Sequence, residues 1–123
     1  MAQNEPDGRS RVVYKIAPRS AWDAAARDGI YRGSPDDHRD GFIHLSRGTQ
    51  VAGTLARHFA GQTDLVLVAY DAAGLGDALK WEPSRGGELF PHVYGPLDPA
   101  AAVWVRPIGV GADGRHTVPG ELE

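Results

Sequence analysis

Leu65-Val66-Leu67-Val68-Ala69-Tyr70, a run of apolar residues, constrains this chain more than any other stretch. It is short, rich in branched side chains and free of glycine and proline, so it reads as a strand. A strand without alternation has no polar face to show to water. It therefore belongs inside a sheet, with both faces covered.

Other segments read as strands too. Val12–Ile16 is β-branched and aromatic, and Ala102–Arg106 has the same character. In Phe42–Ser46 the period of two puts Phe42, His44 and Ser46 on one face, with Ile43 and Leu45 on the other. Leu79–Trp81 suits an edge strand, Val93-Tyr94 an extended pair, and His116–Val118 a weak extended segment. Two stretches read as helices. Ala21–Arg27 is alanine-rich, with Pro18, Ser20 and Asp23 as start signals and Asp28-Gly29 as the stop. The second helix starts after Ser46 or Thr49 as cap, runs to about Ala60 and ends at Gly61. There Val51, Leu55 and Phe59 make an apolar stripe, and Gln50, Thr54 and His58 a polar one. Gly33–Asp40 and Glu82–Pro91 read as loops. Strands thus outnumber two short helices in the N-terminal half. The expected class is α+β, a single domain with a mixed or antiparallel sheet. A length of 123 residues fits one domain. Residues 1–10 read as a flexible tail, 11–108 as the globular unit, and 109–123 as turns and tail.

Composition narrows the function. There is no cysteine, which excludes disulfides, thiol catalysis and cysteine-based metal sites. The formal net charge of -3 argues against a broad basic face for duplex nucleic acid. No apolar run approaches bilayer length, and the N-terminus lacks the apolar core of a signal peptide, so no membrane partner and a cytoplasmic location are expected.

The chemistry-bearing residues fall in three places. His44 and Ser46 share a strand face, Gln50, Thr54 and His58 share a helix face, and Trp81–Gly95 holds Glu82, Ser84, Arg85, Glu88, His92 and Tyr94 around Gly86-Gly87. Glycines let a backbone approach a ligand, and an arginine beside them suits phosphate or carboxylate. A cleft for a small molecule follows if these segments converge. The plainer alternative gives each histidine a local backbone partner and leaves the loop an exposed ion pair worth about 0–1 kcal/mol. His44, His58 and His92, alone or with Glu88, could also form a metal set, yet none has the close spacing of paired ligands, and no residue is assigned to metal. There is no Gly-x-Ser-x-Gly elbow and no dinucleotide fingerprint.

Several blocks carry a resemblance. They are Tyr14-Lys15-Ile16, Trp22, Gly33-Ser34, Asp40–Ser46 (DGFIHLS), Gln50, Thr54, His58-Phe59, Trp81-Glu82, Arg85-Gly86-Gly87 and Phe90–Gly95 (FPHVYG). In this order they resemble the domain of unknown function 952 family, over about Val12 to Ile108. More distantly, the layout is similar to the ADP-ribosyltransferase fold. Tyr14-Lys15-Ile16 stands at its first motif, Gly41–Ser46 at its second and Glu82–His92 at its third. Lys15 stands where many members have His or Arg, and the second motif lacks a tyrosine.

That resemblance implies a cleft for a nucleotide-like or phosphorylated small molecule, with NAD a conceivable cofactor. His44 would orient a ribose hydroxyl or act as acid–base, Glu82 or Glu88 would stabilise positive charge on the sugar, and Arg85 with Gly86 and Gly87 would hold phosphate. Lys15, Ser46, Gln50, Thr54, His58, Ser84, His92 and Tyr94 complete the expected binding set. The alternatives are a non-enzymatic module that binds a ligand or peptide, and a small histidine metalloprotein.

Overall fold

The computed structural model describes residues 9–123 apart from the Arg85 side chain, so the phosphate contact expected of Arg85 lies outside the described residues. Its strands are β1 (Val12–Pro18), β2 (Ile43–His44), β3 (Leu65–Asp71), β4 (Leu79–Pro83), β5 (Leu89–Val93), β6 (Trp104–Val110) and β7 (His116–Thr117). Its helices are α1 (Arg19–Asp28), α2 (Pro35–Asp40), α3 (Val51–His58) and the single turn α4 (Ala72–Leu75). The strands form two sheets, ordered β1-β3-β6-β7 and β2-β5-β4, and every named pair is antiparallel. The class is therefore α+β, with two antiparallel sheets where one mixed or antiparallel sheet was expected. Among the described residues one backbone bridge joins the sheets. There Tyr14 of β1 and Ser46, just past β2, exchange two backbone hydrogen bonds of 2.9 Å each.

β3 shows why the apolar run lacks alternation. Leu65, Leu67 and Ala69 face one core with Tyr14, Ile16 and Ile108, which α3 covers through Val51 and Leu55. Val66, Val68 and Tyr70 face a second core with Val13, Ile43, Leu45 and Val93, which α1 covers through Trp22 and Ala25. Each such aliphatic side chain contributes roughly 1.5–3 kcal/mol when fully buried. The strand is held on both faces, as the sequence predicts.

Several local expectations change. Gly33–Asp40 is not all loop, because 35–40 form α2. Ser20 lies inside α1, whose N-cap is Pro18 without a side-chain cap. Neither Ser46 nor Thr49 caps α3: a 3-10 turn over 48–50 leads into it, and the helix ends at His58. Glu82 and Pro83 continue β4, and Leu89–Pro91 belong to β5, so only 84–88 connect that hairpin. β4 is an edge strand, as expected. Residues 1–8 of the expected tail lie outside the described residues, and Ser10 is buried. Segment 109–123 carries β7 and lays Val118 and Leu122 against the α3 core, while the Glu123 N–H donates to Tyr14 Oη at 3.1 Å. Among the described residues no helix is long and apolar enough to cross a membrane.

Candidate functional site

The site begins with α2, the element that the sequence hides. Ser34 is its N-cap and Pro35 its first residue, where the missing N–H costs nothing. The Asp37 N–H donates to Ser34 Oγ at 3.2 Å, and the Ser34 N–H donates to Asp37 Oδ2 at 2.9 Å, a closed capping box. Gly33, at φ +108, leaves no room for a side chain: a Cβ there would stand 2.9 Å from Asp37 Cβ. This close approach presses Asp37 under β2, where it is 2% exposed.

Asp37 collects four N–H donors. Oδ2 accepts from Ser34 N and, at 2.8 Å, from Lys15 Nζ. Oδ1 accepts from the His44 N–H at 3.1 Å and lies 2.6 Å from His44 Nδ1. Lys15 Nζ also donates to the His44 carbonyl at 3.1 Å. Burial raises the Asp37 carboxyl, but the bonds from His44, Lys15 and Ser34 and the Lys15 charge outweigh it, holding Asp37 well below the usual carboxylate range. Burial lowers the Lys15 ammonium, and Asp37 only partly restores it.

His44 faces a second carboxylate. Its Nε2 lies 2.9 Å from Asp40 Oδ2, so both ring nitrogens are covered by acids of α2. Across the ladder His44 pairs with His92 of β5, their ring centroids 5.6 Å apart. His92 has its own acid: Nδ1 lies 2.7 Å from Glu82 Oε1, which also accepts from Tyr94 Oη at 2.8 Å. Phe42 stacks on His92 at 4.0 Å and touches His44 at 4.6 Å. Burial lowers His92, opposed in part by Glu82. The hydrogen bonds from His92 and Tyr94 lower Glu82 in turn.

Of these groups Lys15, Asp37, Asp40, His44 and His92 line a cleft of about 540 Å³ at the junction of the two sheets. Its walls come from β1, α2, β2, the end of α3 and β5. Ser46 Oγ and Thr54 Oγ1, 3.1 Å apart, contribute hydroxyls. Tyr31 adds another: its ring is buried, and its hydroxyl has no hydrogen-bond partner among the described residues. Burial raises its pKa. The charged lining consists of Asp36, Asp37 and Asp40 against Lys15 and Arg39, an acidic surplus. Among the described residues no three acids and histidines are grouped to hold a metal ion.

The family model described as protein of unknown function (DUF952) matches residues 16–105. The chain belongs to this family. A crystal structure of protein CC0527 from Caulobacter crescentus is 47% identical, covers 86% of this chain and 93% of its own, and superposes with a TM-score of 0.83. A solution NMR structure of CC0527 is 48% identical, covers 85% and 90%, and gives 0.77. No curated protein matches significantly.

Against the residues expected from the sequence of this family member, the structure draws a line. Lys15, His44, Ser46, Thr54, His58, Ser84 and His92 line the cleft, with His58 exposed at its rim. Gln50 does not line it. Its amide donates to Glu88 Oε1 and the Leu89 carbonyl, and its oxygen accepts from the Arg47 N–H, so it ties the start of α3 to β5. Glu88 is held by Arg47 and Gln50 away from the cleft. Gly86 and Gly87, at φ 68 and 82, build the hairpin turn closed by Gly87 N–H to the Ser84 carbonyl. Glu82 and Tyr94 reach the cleft only through His92. The sequence alone does not mark Asp37, Asp40 and Tyr31 as site residues, yet all three line the cleft. The Ser34-Pro35 start with an acid at the third helical position was the legible signal for the first two.

Proposed function

We propose that the cleft binds a ribosyl nucleotide, in the manner of an ADP-ribosyltransferase-like domain. One observation carries this reading: Lys15, His44 and His92, one from each of the three segments that resemble that fold, line the same cleft. Fold likeness alone does not license an activity, so the argument rests on the lining. The volume suits a nucleoside-sized ligand, since such sites span about 300–1,000 Å³. Its hydroxyls and histidines match the hydrogen-bonding groups of a ribose.

In this reading His44, oriented by Asp37, meets a ribose hydroxyl. Its Asp40 contact lies at the exposed side and is exchanged for the ligand oxygen. Positive charge developing at the sugar carbon, as its bond to a leaving base lengthens, faces the acidic surplus of α2. That role passes from Glu82 or Glu88 to Asp40, because neither glutamate lines the cleft. The phosphates extend toward the rim, where Arg39 and His58 stand.

A thermal-shift panel with NAD, ADP-ribose and nucleoside monophosphates tests the reading. A ligand at about 100 times its Kd adds roughly 2.7 kcal/mol, a rise of several degrees in Tm. The rise is expected with ADP-ribose or NAD and is lost in His44→Ala. No rise with any ribosyl compound refutes the proposal and favours a module that binds a peptide or other ligand without bond change.

A further inference from the structure

Two of the three histidines that line the cleft, His44 and His92, differ in one respect that decides what each can do. His44 presents both nitrogens to carboxylates, Nδ1 to Asp37 and Nε2 to Asp40. His92 presents only Nδ1, to Glu82 at 2.7 Å. A carboxylate accepts and cannot donate, so the proton between Glu82 and His92 sits on Nδ1. The other nitrogen, Nε2, is left with its lone pair. It has no hydrogen-bond partner among the described residues, although the side chain is only 6% exposed and lines the cleft. Nε2 is not sealed off, since the one fully buried side-chain nitrogen or oxygen without a partner among the described residues is Arg47 Nε; it is reached from the cleft, where a ligand or water can complete its hydrogen bonding.

We propose that His92 Nε2 is an accepting nitrogen of the cleft, and that Glu82 and Tyr94 are its positioning residues. The assignment deepens the proposed ribosyl reading and rests on it for the identity of the ligand. A ligand O–H or N–H donates to Nε2. If that proton is transferred, the ligand atom keeps the electron pair and the imidazolium charge falls beside Glu82. The arrangement matches the general pattern in which a carboxylate fixes the tautomer of a histidine through one nitrogen and leaves the other for chemistry.

The surroundings support a neutral ring. Phe42 stacks on one face, and burial outweighs Glu82 in setting the direction of the His92 shift. The charged and titratable groups around the ring are Glu82 on β4, with Lys80 nearby, Tyr94 after β5, His44 on β2 and Asp40 on α2. Of these, Glu82 and Asp40 favour the protonated ring and His44 opposes it. Tyr94 donates to the Glu82 oxygen that holds Nδ1, so it fixes the carboxylate rather than the ring.

Long-range proton–nitrogen correlation spectra of the ligand-free, labelled protein at pH 7 test the assignment directly. His92 is expected as the Nδ1–H tautomer with an unprotonated Nε2. In Glu82→Gln this preference weakens, while the fold, read from the amide spectrum, persists. An Nε2–H tautomer, or a doubly protonated ring at pH 7, overturns the proposal. ADP-ribose is then titrated into the same sample. A shift of the Nε2 resonance on saturation, with at least tenfold weaker binding in His92→Phe, supports the role. Saturable binding that leaves Nε2 unmoved overturns it. Absence of binding defeats the ribosyl reading instead, and the tautomer result still decides on the nitrogen.

Discussion

Replacing Asp37 by Asn removes one oxygen and one charge and changes little in volume. The carboxylate accepts from Lys15, Ser34 and, twice, His44. If the amide oxygen stays on the His44 side, the NH2 group faces the Lys15 ammonium and the Ser34 N–H, donor against donor. Lys15 is 4% exposed and keeps only the His44 carbonyl as a partner. An uncompensated buried charge costs about 3–5 kcal/mol, and each charge-assisted bond lost is worth roughly 1.5–3 kcal/mol within that total. A loss of about 3–5 kcal/mol is expected, read as a lower urea midpoint at pH 7 with the m-value unchanged. The double variant Lys15→Met with Asp37→Asn removes the stranded ammonium and should regain about 1–3 kcal/mol over the single variant, a coupling typical of residues in contact. A single-variant loss under about 1 kcal/mol, or a double variant as unstable as the sum of its parts, would refute the account of the buried pair.

Four further outcomes follow from the same geometry. Asp37 is held below the ordinary carboxylate pKa of about 3.9, so its stabilisation is complete above that pH and is lost as pH falls toward the folded value. Wild-type stability should therefore drop from about pH 4 downward, and acid titration of Asp37→Asn should show a flatter limb. Gly33→Ala combines a positive φ with a 2.9 Å approach to Asp37 Cβ, and should cost at least ~2 kcal/mol in chemical denaturation and displace the His44 resonances. Gly86→Ala, with open space around its Cβ, should cost only about 1 kcal/mol for its φ and leave ADP-ribose affinity unchanged by calorimetry. Glu88→Ala removes the oxygen to which Arg47 and the buried Gln50 amide donate, and should cost about 1–3 kcal/mol in stability with binding intact.

The sequence makes the large-scale order legible because burial writes it in side-chain type. β3 reads as central from its own six residues, and the Phe42–Ser46 alternation correctly separates Ile43 and Leu45, which face the core, from His44 and Ser46, which face the cleft. The Val51 and Leu55 stripe likewise marks the buried face of α3. α2 escapes notice because its six residues carry no apolar stripe: the one that points inward is Asp37, whose burial rests on ionic partners elsewhere in the chain. Lys15 is 22 residues from that partner, and Gln50 is 38 residues from Glu88. Tertiary hydrogen bonds of that reach leave no local pattern, so Gln50 and Glu88 look like site residues although they serve as struts. Gly86 and Gly87 show the same ambiguity at short range, since a turn and a phosphate cradle ask for the same residue.

The most direct test of the central claim is calorimetric titration of ADP-ribose into the protein at pH 7, run beside His44→Ala and Glu88→Ala whose folding has been checked by denaturation. The account predicts saturable binding near one ligand per chain, weakened at least tenfold by His44→Ala and unchanged by Glu88→Ala. Saturable binding that survives in His44→Ala, or no binding to the wild-type protein, would contradict it.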